Sequence, residues 1–298
     1  MRIITRGDMD GLASSVLLTV AEDVKEILFV HPKDAQDGLI QATKEDIVVN
    51  LPFIKGCGLW FDHHISEEEK LKGIGKFKGR FEMAPSAARV IYNHYKKPEF
   101  ERFKEMLEAI DRFDSAQLSP DDVSDPKGWI LLGYTIDPRT GFGPEFQKYF
   151  RWLVEYIKEV PLEVVLKHKE VKKRCDRVLA DQVKFKEILS KHSRQDGNVI
   201  LTDLRALRPG SGELAVGNRF LVYTMFPKAD VEVRLFGGKT GAVVVAVGHS
   251  IFNRTCKVNV GNLMKEFGGG GHAGAGTCQL KPESAEENIG KIIARVKK

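Results

Sequence analysis

The sequence predicts an α/β protein: an N-terminal, mostly parallel sheet flanked by helices, a helical connector, and a smaller C-terminal α/β domain. Three observations predict it. Short apolar runs alternate with helix-period segments over the first 125 residues, as in parallel strands joined by crossover helices. Residues 126–195 carry helical periodicity almost throughout. Beyond Arg194-Gln195-Asp196-Gly197-Asn198 the pattern changes to strand-like runs punctuated by glycine. A chain of 298 residues most naturally forms two domains. The expected segments are 1–125, 126–195 as the connector, and 196–298.

In order, MRIIT reads as a strand, RGDMDG as a loop and LASSVLLTVAEDV as a helix. EILFVHP, DIVVNLPF and CGLWFDHH are the next short apolar runs, each read as a strand, the last ending on charge. APSAARVIYNHY and PEFERFKEMLEAIDRF have helical spacing. SPDDVSDPKGW, rich in Pro, Asp and Ser, reads as a loop. GPEFQKYFRWLVEYIKEV and the stretch to about Ser190 read as helical, with a break at Pro161. In the last segment NVILTDL, LAVGNRFLVYTMF, VEVRLFG and GAVVVAVGH read as strands, and VNVGNLMKEF as a strand followed by a short helix.

Composition is that of an ordinary globular protein, with 42% hydrophobic and 29% charged residues. A net charge of +5, from 46 basic and 41 acidic residues, tolerates an anionic substrate without arguing for long nucleic acid. The densest basic run, Lys167 to Arg177, reads as a solvated helix face. Cys57, Cys175, Cys256 and Cys278 form no CxxC pair and read as reduced thiols. No apolar run reaches membrane-spanning length and no signal peptide opens the chain, so a cytoplasmic protein without membrane association is expected.

Candidate chemistry collects at a few places. Asp8 and Asp10, two apart after the first strand, would point the same way on extended backbone and face the crevice at its carboxyl end, and Gly11 would permit the tight turn into the helix. Such oxygen ligands suit Mn²⁺ or Mg²⁺; the plainer reading makes them helix N-terminal carboxylates favoured by the dipole. Asp62, His63 and His64 end the fourth strand at the same sheet edge, and their imidazoles favour a transition metal over Mg²⁺. Asp111 and Asp114 are each able to complete a coordination sphere or to serve as solvated or capping carboxylates. The run Gly268 to Gly271 cannot be a stable helix or strand centre; with His272 it reads as a backbone nest for phosphate. Metal on one side and a phosphate grip on the other describe phosphoester hydrolysis.

RGDMDG, FDHH and FGGGGHAGAG together resemble the motifs of the DHH/DHHA1 phosphoesterases, a family that includes RecJ exonucleases, nanoRNases with pAp phosphatase activity and cyclic-dinucleotide phosphodiesterases. The likeness covers about residues 2–125 and 200–280. It implies an N-terminal DHH domain, a C-terminal DHHA1-like substrate-binding domain, and hydrolysis of a nucleotide or short oligonucleotide with Mn²⁺, or Mg²⁺ in its place, as one ion or two. By the same resemblance Asp8, Asp10, Asp62 and His63 match metal ligands, and His64 lies near the phosphate. Asp114 is favoured over Asp111 as the last ligand. His272, Gly269, Gly270 and Gly271 match the substrate-binding motif. Two positions depart from the family pattern: Arg6 stands where a histidine is usual, and Asn50 where an aspartate bridges two metals. Arginine cannot replace an imidazole ligand. Arg6 is therefore expected to hold a phosphate directly, as a catalytic residue beside His64 and Asp62. Asn50 remains a neutral ligand. The family's arginine–serine pair appears as His249-Ser250, with Arg254 as a candidate source of the missing positive charge. The main expectation is a one-metal hydrolase; the alternative is a catalytically degenerate nucleotide- or phosphate-binding protein. Neither calls for a stable complex with long nucleic acid, and a homodimer is compatible with both.

Overall fold

The computed structural model describes the chain except for Glu69, residues 137–141, 208–216 and 239–240, and Lys298. It divides into two compact units, Met1–Gln117 with Pro126–Cys175, and Leu118–Asp125 with Asp176–Lys298. The helical stretch read as a connector is thus shared between the two.

The first unit opens with β1 (Arg2–Thr5), α1 (Met9–Ala21), β2 (Glu26–Phe29), α2 (Pro32–Gln36), β3 (Asp46–Val49) and β4 (Leu59–Asp62). It continues with α3 (Ile65–Glu68), α4 (Leu71–Ile74), β5 (Gly79–Phe81), α5 (Ala87–Tyr95) and α6 (Lys104–Asp114). Its strands form an all-parallel sheet in the order β2-β1-β3-β4-β5. Side chains alternate across it. Ile3, Ile47, Val49 and Phe61 pack into the helical core, whereas Ile4, Val48 and Trp60 pack on the other face with Leu51 and Ile54. Burial on both faces explains why these strands read as unbroken apolar runs. From β1 the chain steps outward to β2 and returns to β3 on β1's other side. That reversal opens a crevice at the carboxyl ends of β1 and β3. The opposite ends are tied by Arg2 and Asp46, with Nε to Oδ1 at 2.8 Å and Nη2 to Oδ2 at 3.1 Å.

Next come α7 (Pro120–Ser124), α8 (Gly128–Tyr134), α9 (Pro144–Glu159), α10 (Leu162–Lys167) and α11 (Lys169–His192). The SPDD segment expected as a loop forms α7. Ser119 caps it, Asp122 reaches back to the cap N–H, and Pro120 occupies the first turn. This reciprocal capping outweighs the turn-like composition.

The second unit contains β6 (Ser193–Asp196), β7 (Val199–Asp203), α12 (Leu221–Met225), β8 (Val231–Gly237) and β9 (Val243–His249). It ends with α13 (Val260–Glu266), β10 (Gly270–His272), β11 (Ala275–Leu280) and α14 (Ala285–Val296). The sheet order is β10-β11-β9-β8-β7-β6, with β7 and β8 parallel and the other neighbours antiparallel. Val231, Val233, Leu235, Val245 and Val247 bury one face against residues of α13 and α14. Three local readings change here. LVYTM is helical, its Tyr223 hydroxyl donating to Gly248 O, although Leu214–Val216 of that run lie outside the described residues. Burial, not strand propensity, decides so short a segment. The VNV of VNVGNLMKEF forms no strand, because Asn259 caps α13. The glycine run does enter a strand, at the edge of the sheet.

Candidate active site

At the carboxyl edge of the first sheet, α1 begins with Asp8 as its N-cap, Oδ1 accepting from Gly11 N at 2.9 Å. Asp8 and Asp10 therefore do not share an extended strand. Asp8 caps the helix and Asp10 lies in its first turn, which gives them different neighbours. Gly11 has no positive φ. It is needed because a Cβ there would lie 2.0 Å from Arg6 O.

Asp10 is buried and accepts from Ala87 N at 2.8 Å and Ala88 N at 2.9 Å, the first amides of α5. A carboxylate at a helix N-terminus is stabilised by free N–H groups and by the dipole. His63 follows β4, and its Nδ1 donates to Ala84 O at 3.0 Å. That fixes Nε2 toward the acids, 3.6 Å from Asp10 Oδ2 and 3.2 Å from Asp114 Oδ2. Asp114, at the last turn of α6, is the carboxylate that meets His63. Asp111 is occupied elsewhere, accepting from Ser86 Oγ at 2.7 Å and Arg89 Nε at 2.8 Å. This bracket, unread in the sequence, locks the start of α5 and with it the amides that hold Asp10; only the cap-like Ser86 signals it.

Donor atoms of Asp10, His63 and Asp114 lie within 4.8 Å of one another, as do those of Asp62, His63 and His64. Burial, followed by the Asp114 charge, pushes Asp10 up to about 7. Burial opposes a charged His63, yet the neighbouring Asp114 and Asp10 carboxylates raise it to about 9. Both shifts express concentrated negative charge facing a buried imidazole. His63 Nε2 and Asp62 Oδ2 are buried without a hydrogen-bond partner. A ring held at Nδ1 by a carbonyl, with its unpaired Nε2 facing two carboxylates, fits a divalent cation.

A separate group surrounds Asp8. Arg6 Nε lies 3.1 Å from Asp8 Oδ2, with the arginine side chain 40% exposed and the aspartate 16% exposed. Asn50, in left-handed backbone at φ 55°, donates Nδ2 to Asp8 Oδ1 at 2.8 Å. Both Asp8 oxygens are thus engaged, and Asn50 turns a donor, not an oxygen, toward them. Asp62, fully buried, accepts from His64 Nδ1 at 2.7 Å and raises the imidazole's affinity for a proton against the effect of burial.

In the second unit, His272 closes β10 opposite Ala275 and is exposed. Gly269 and Gly271 are sterically required: a Cβ would lie 2.0 Å from Thr277 O and 2.2 Å from Ala275 O, respectively. Gly270 differs, with nothing within 4 Å and no positive φ. His249 Nε2 donates to Val258 O at 3.0 Å, and its backbone N donates to Gly274 O at 2.8 Å, pinning the hairpin tip. Ser250 Oγ accepts from Phe252 and Asn253 amides, and Arg254 Nε donates to Ile251 O at 3.0 Å.

No family model matches the chain, and no curated protein matches its sequence. Among solved structures it is similar to PggH, a pGpG-specific phosphodiesterase from Vibrio cholerae, at 36% identity and a TM-score of 0.87, covering 99% of this chain and 98% of that one. The DHH domain of a member of a family of ribosomal proteins matches at 14% identity and a TM-score of 0.67, over 100% and 87% of the two chains. The exonuclease RecJ bound to manganese matches at 12% identity and a TM-score of 0.51, over 98% and 89%. The last two show the fold alone. The full-length match at 36% identity, together with the RGDMDG, FDHH and GGGGH motifs on this α/β framework, makes the chain a member of the DHH/DHHA1 phosphoesterase family.

Proposed function

We propose that the protein hydrolyses the phosphoester bond of a short, linear, 5′-phosphorylated nucleotide, a dinucleotide of the pGpG type first among them, with a divalent cation. The observation that carries this is His63 Nε2, buried without a hydrogen-bond partner and facing Asp10 and Asp114. Those three residues would hold the cation, and Asp62 offers a further buried oxygen beside them. The mixed nitrogen and oxygen donors suit Mn²⁺ better than Mg²⁺. When bound, the cation supplies Lewis acidity to a phosphoryl oxygen and to the attacking water.

The chain's own residues do the rest. The Ala84 carbonyl and the α5 amides fix the imidazole and the Asp10 carboxylate, so neither must reorganise. Arg6 brings a permanent positive charge to the Asp8 side of the crevice. Its fork of N–H donors suits phosphoryl oxygens, and Asn50, on the other oxygen of Asp8, brings no second negative charge there. Asp62 keeps a proton on His64 Nδ1, which orients the 41% exposed imidazole to donate from its other nitrogen to a phosphate or leaving oxygen. In the second unit, Gly270 leaves backbone open beside His272, a surface suited in itself to a phosphate or sugar.

The engagement of Asp8 with Arg6 and Asn50 favours a second reading, a nucleotide-binding protein without turnover. Incubating the protein with pGpG, 3′-phosphoadenosine 5′-phosphate and cyclic di-GMP in Mn²⁺ or Mg²⁺ separates the two. The expected result is metal-dependent GMP release from pGpG, reduced more than about 100-fold in Asp10→Ala and His63→Ala. Chelator-insensitive nucleotide binding without product at saturating metal would establish the second reading instead.

A further inference from the structure

The first unit carries an aromatic wall with no task in the hydrolysis described above. Phe142, just before α9, and Phe146, in its first turn, bring their ring edges against Gly7. A Cβ on Gly7 would lie 2.7 Å from Phe142 Cε1 and 2.8 Å from Phe146 Cε1. Gly7 has no positive φ, so it is the two rings, not the backbone, that exclude a side chain there. Gly7 is also the residue between Arg6 and Asp8. The rings are firmly backed: Phe142 lies 5.6 Å from Phe146 and 6.0 Å from Phe29, and Phe29 stands edge-on to buried Phe150 at 4.8 Å. Phe142 and Phe146 themselves are only partly buried.

A rigid, partly exposed aromatic surface thus adjoins the loop whose partly exposed guanidinium can meet a phosphate. A nucleotide offers that pairing, a flat π-face a short way from an anion. We infer that Phe142, backed by Phe146, is the stacking platform for one nucleobase of the substrate whose phosphate meets Arg6. The inference rests on the nucleotide reading above. It adds to that reading the place where a base is recognised, and it makes the intact base, not only the phosphodiester, a determinant of binding. Stacking is tolerant of base identity, so Phe142 contributes affinity for a base in general.

The test uses the full chain and three probes: pGpG and its two singly abasic forms. Dissociation constants are measured calorimetrically with metal chelated, so no turnover is required, and KM and kcat are measured separately with Mn²⁺. Phe142→Ala is expected to weaken pGpG binding on the order of ten-fold, the effect of removing one stacking ring, with most of the kinetic change in KM. One abasic form should bind wild type and variant alike. Phe142→Leu keeps the apolar contact with Gly7 but lacks the π-face and should behave like Phe142→Ala, whereas Phe142→Trp should restore binding. Circular dichroism confirms that each variant is folded. Equal weakening for pGpG and both abasic forms, no weakening at all, or no pGpG binding by wild type would overturn the inference. Base-dependent, Phe142-dependent binding without product would uphold it while removing the hydrolase reading.

Discussion

Glycine 11 shows how a single residue fixes the loop that the site is built on. Alanine is the better helix former by about 1 kcal/mol. At position 11, however, its Cβ would meet the Arg6 carbonyl at 2.0 Å, and backbone cannot yield as a side-chain tip can. Gly11→Ala is therefore expected to destabilise the protein by about 2–4 kcal/mol despite its propensity, read as a lower urea midpoint. An unchanged or raised midpoint would remove the close-approach argument. The sequence showed that a glycine belongs there, but assigned it to a tight turn. It also left Asp111 and Asp114 open on chemistry alone. Two carboxylates three apart on a helix have equal intrinsic claims; Ser86 and Arg89, more than 20 residues away, decide between them by capturing Asp111.

Among the elements, the β10–β11 hairpin departs furthest from its sequence reading. A glycine run is a poor strand by propensity, yet here closeness to the facing strand excludes side chains from Gly269 and Gly271, so the weak strand is the one that fits. Gly271, at φ 156°, should not tolerate a side chain, whereas Gly270 should. Gly271→Ala is expected to cost about 2 kcal/mol or more and to speed hydrogen exchange at the β10 and β11 amides. Gly270→Ala should stay within about 1 kcal/mol of wild type with normal protection. Equal loss of protection in both variants would contradict the distinction. The same contest of local preference with packing accounts for α12. By contrast, α7 was expected as a loop from its composition, although the capping box that makes it a helix lies within four residues.

At the scale of the whole molecule, each unit has its own apolar cluster and sheet. Stability in the first unit also carries a pH signature away from the site. Asp46 is buried, and although burial raises its pKa, hydrogen bonds from Arg2 and Thr43 outweigh that and hold it below the usual carboxylate value. The unfolded chain then binds the proton more readily than the folded one, so folding is favoured above the unfolded value and the benefit is lost as pH falls through the lower folded one. Asp46→Asn is expected to lower stability by about 1–3 kcal/mol at pH 7, measured by urea unfolding, with the gap narrowing below about pH 4. A gap that is constant across that range would mean the ion pair contributes nothing through its charge.

The sequence by itself determined the α/β class, the buried parallel strands, and the residue types gathered at the sheet edge. Each of these follows from patterns a few residues long: apolar runs, caps, and motifs anchored to strand ends. Only the tertiary structure decided what those residues face. Asp10 is held by amides 77 and 78 residues away, His63 meets Asp114 across the sheet edge, and Arg6 with Asn50 occupies Asp8. The physical reason is range. Local preference sets how the backbone runs over a turn or two, whereas a side chain's partner is set by which distant elements the buried core brings beside it.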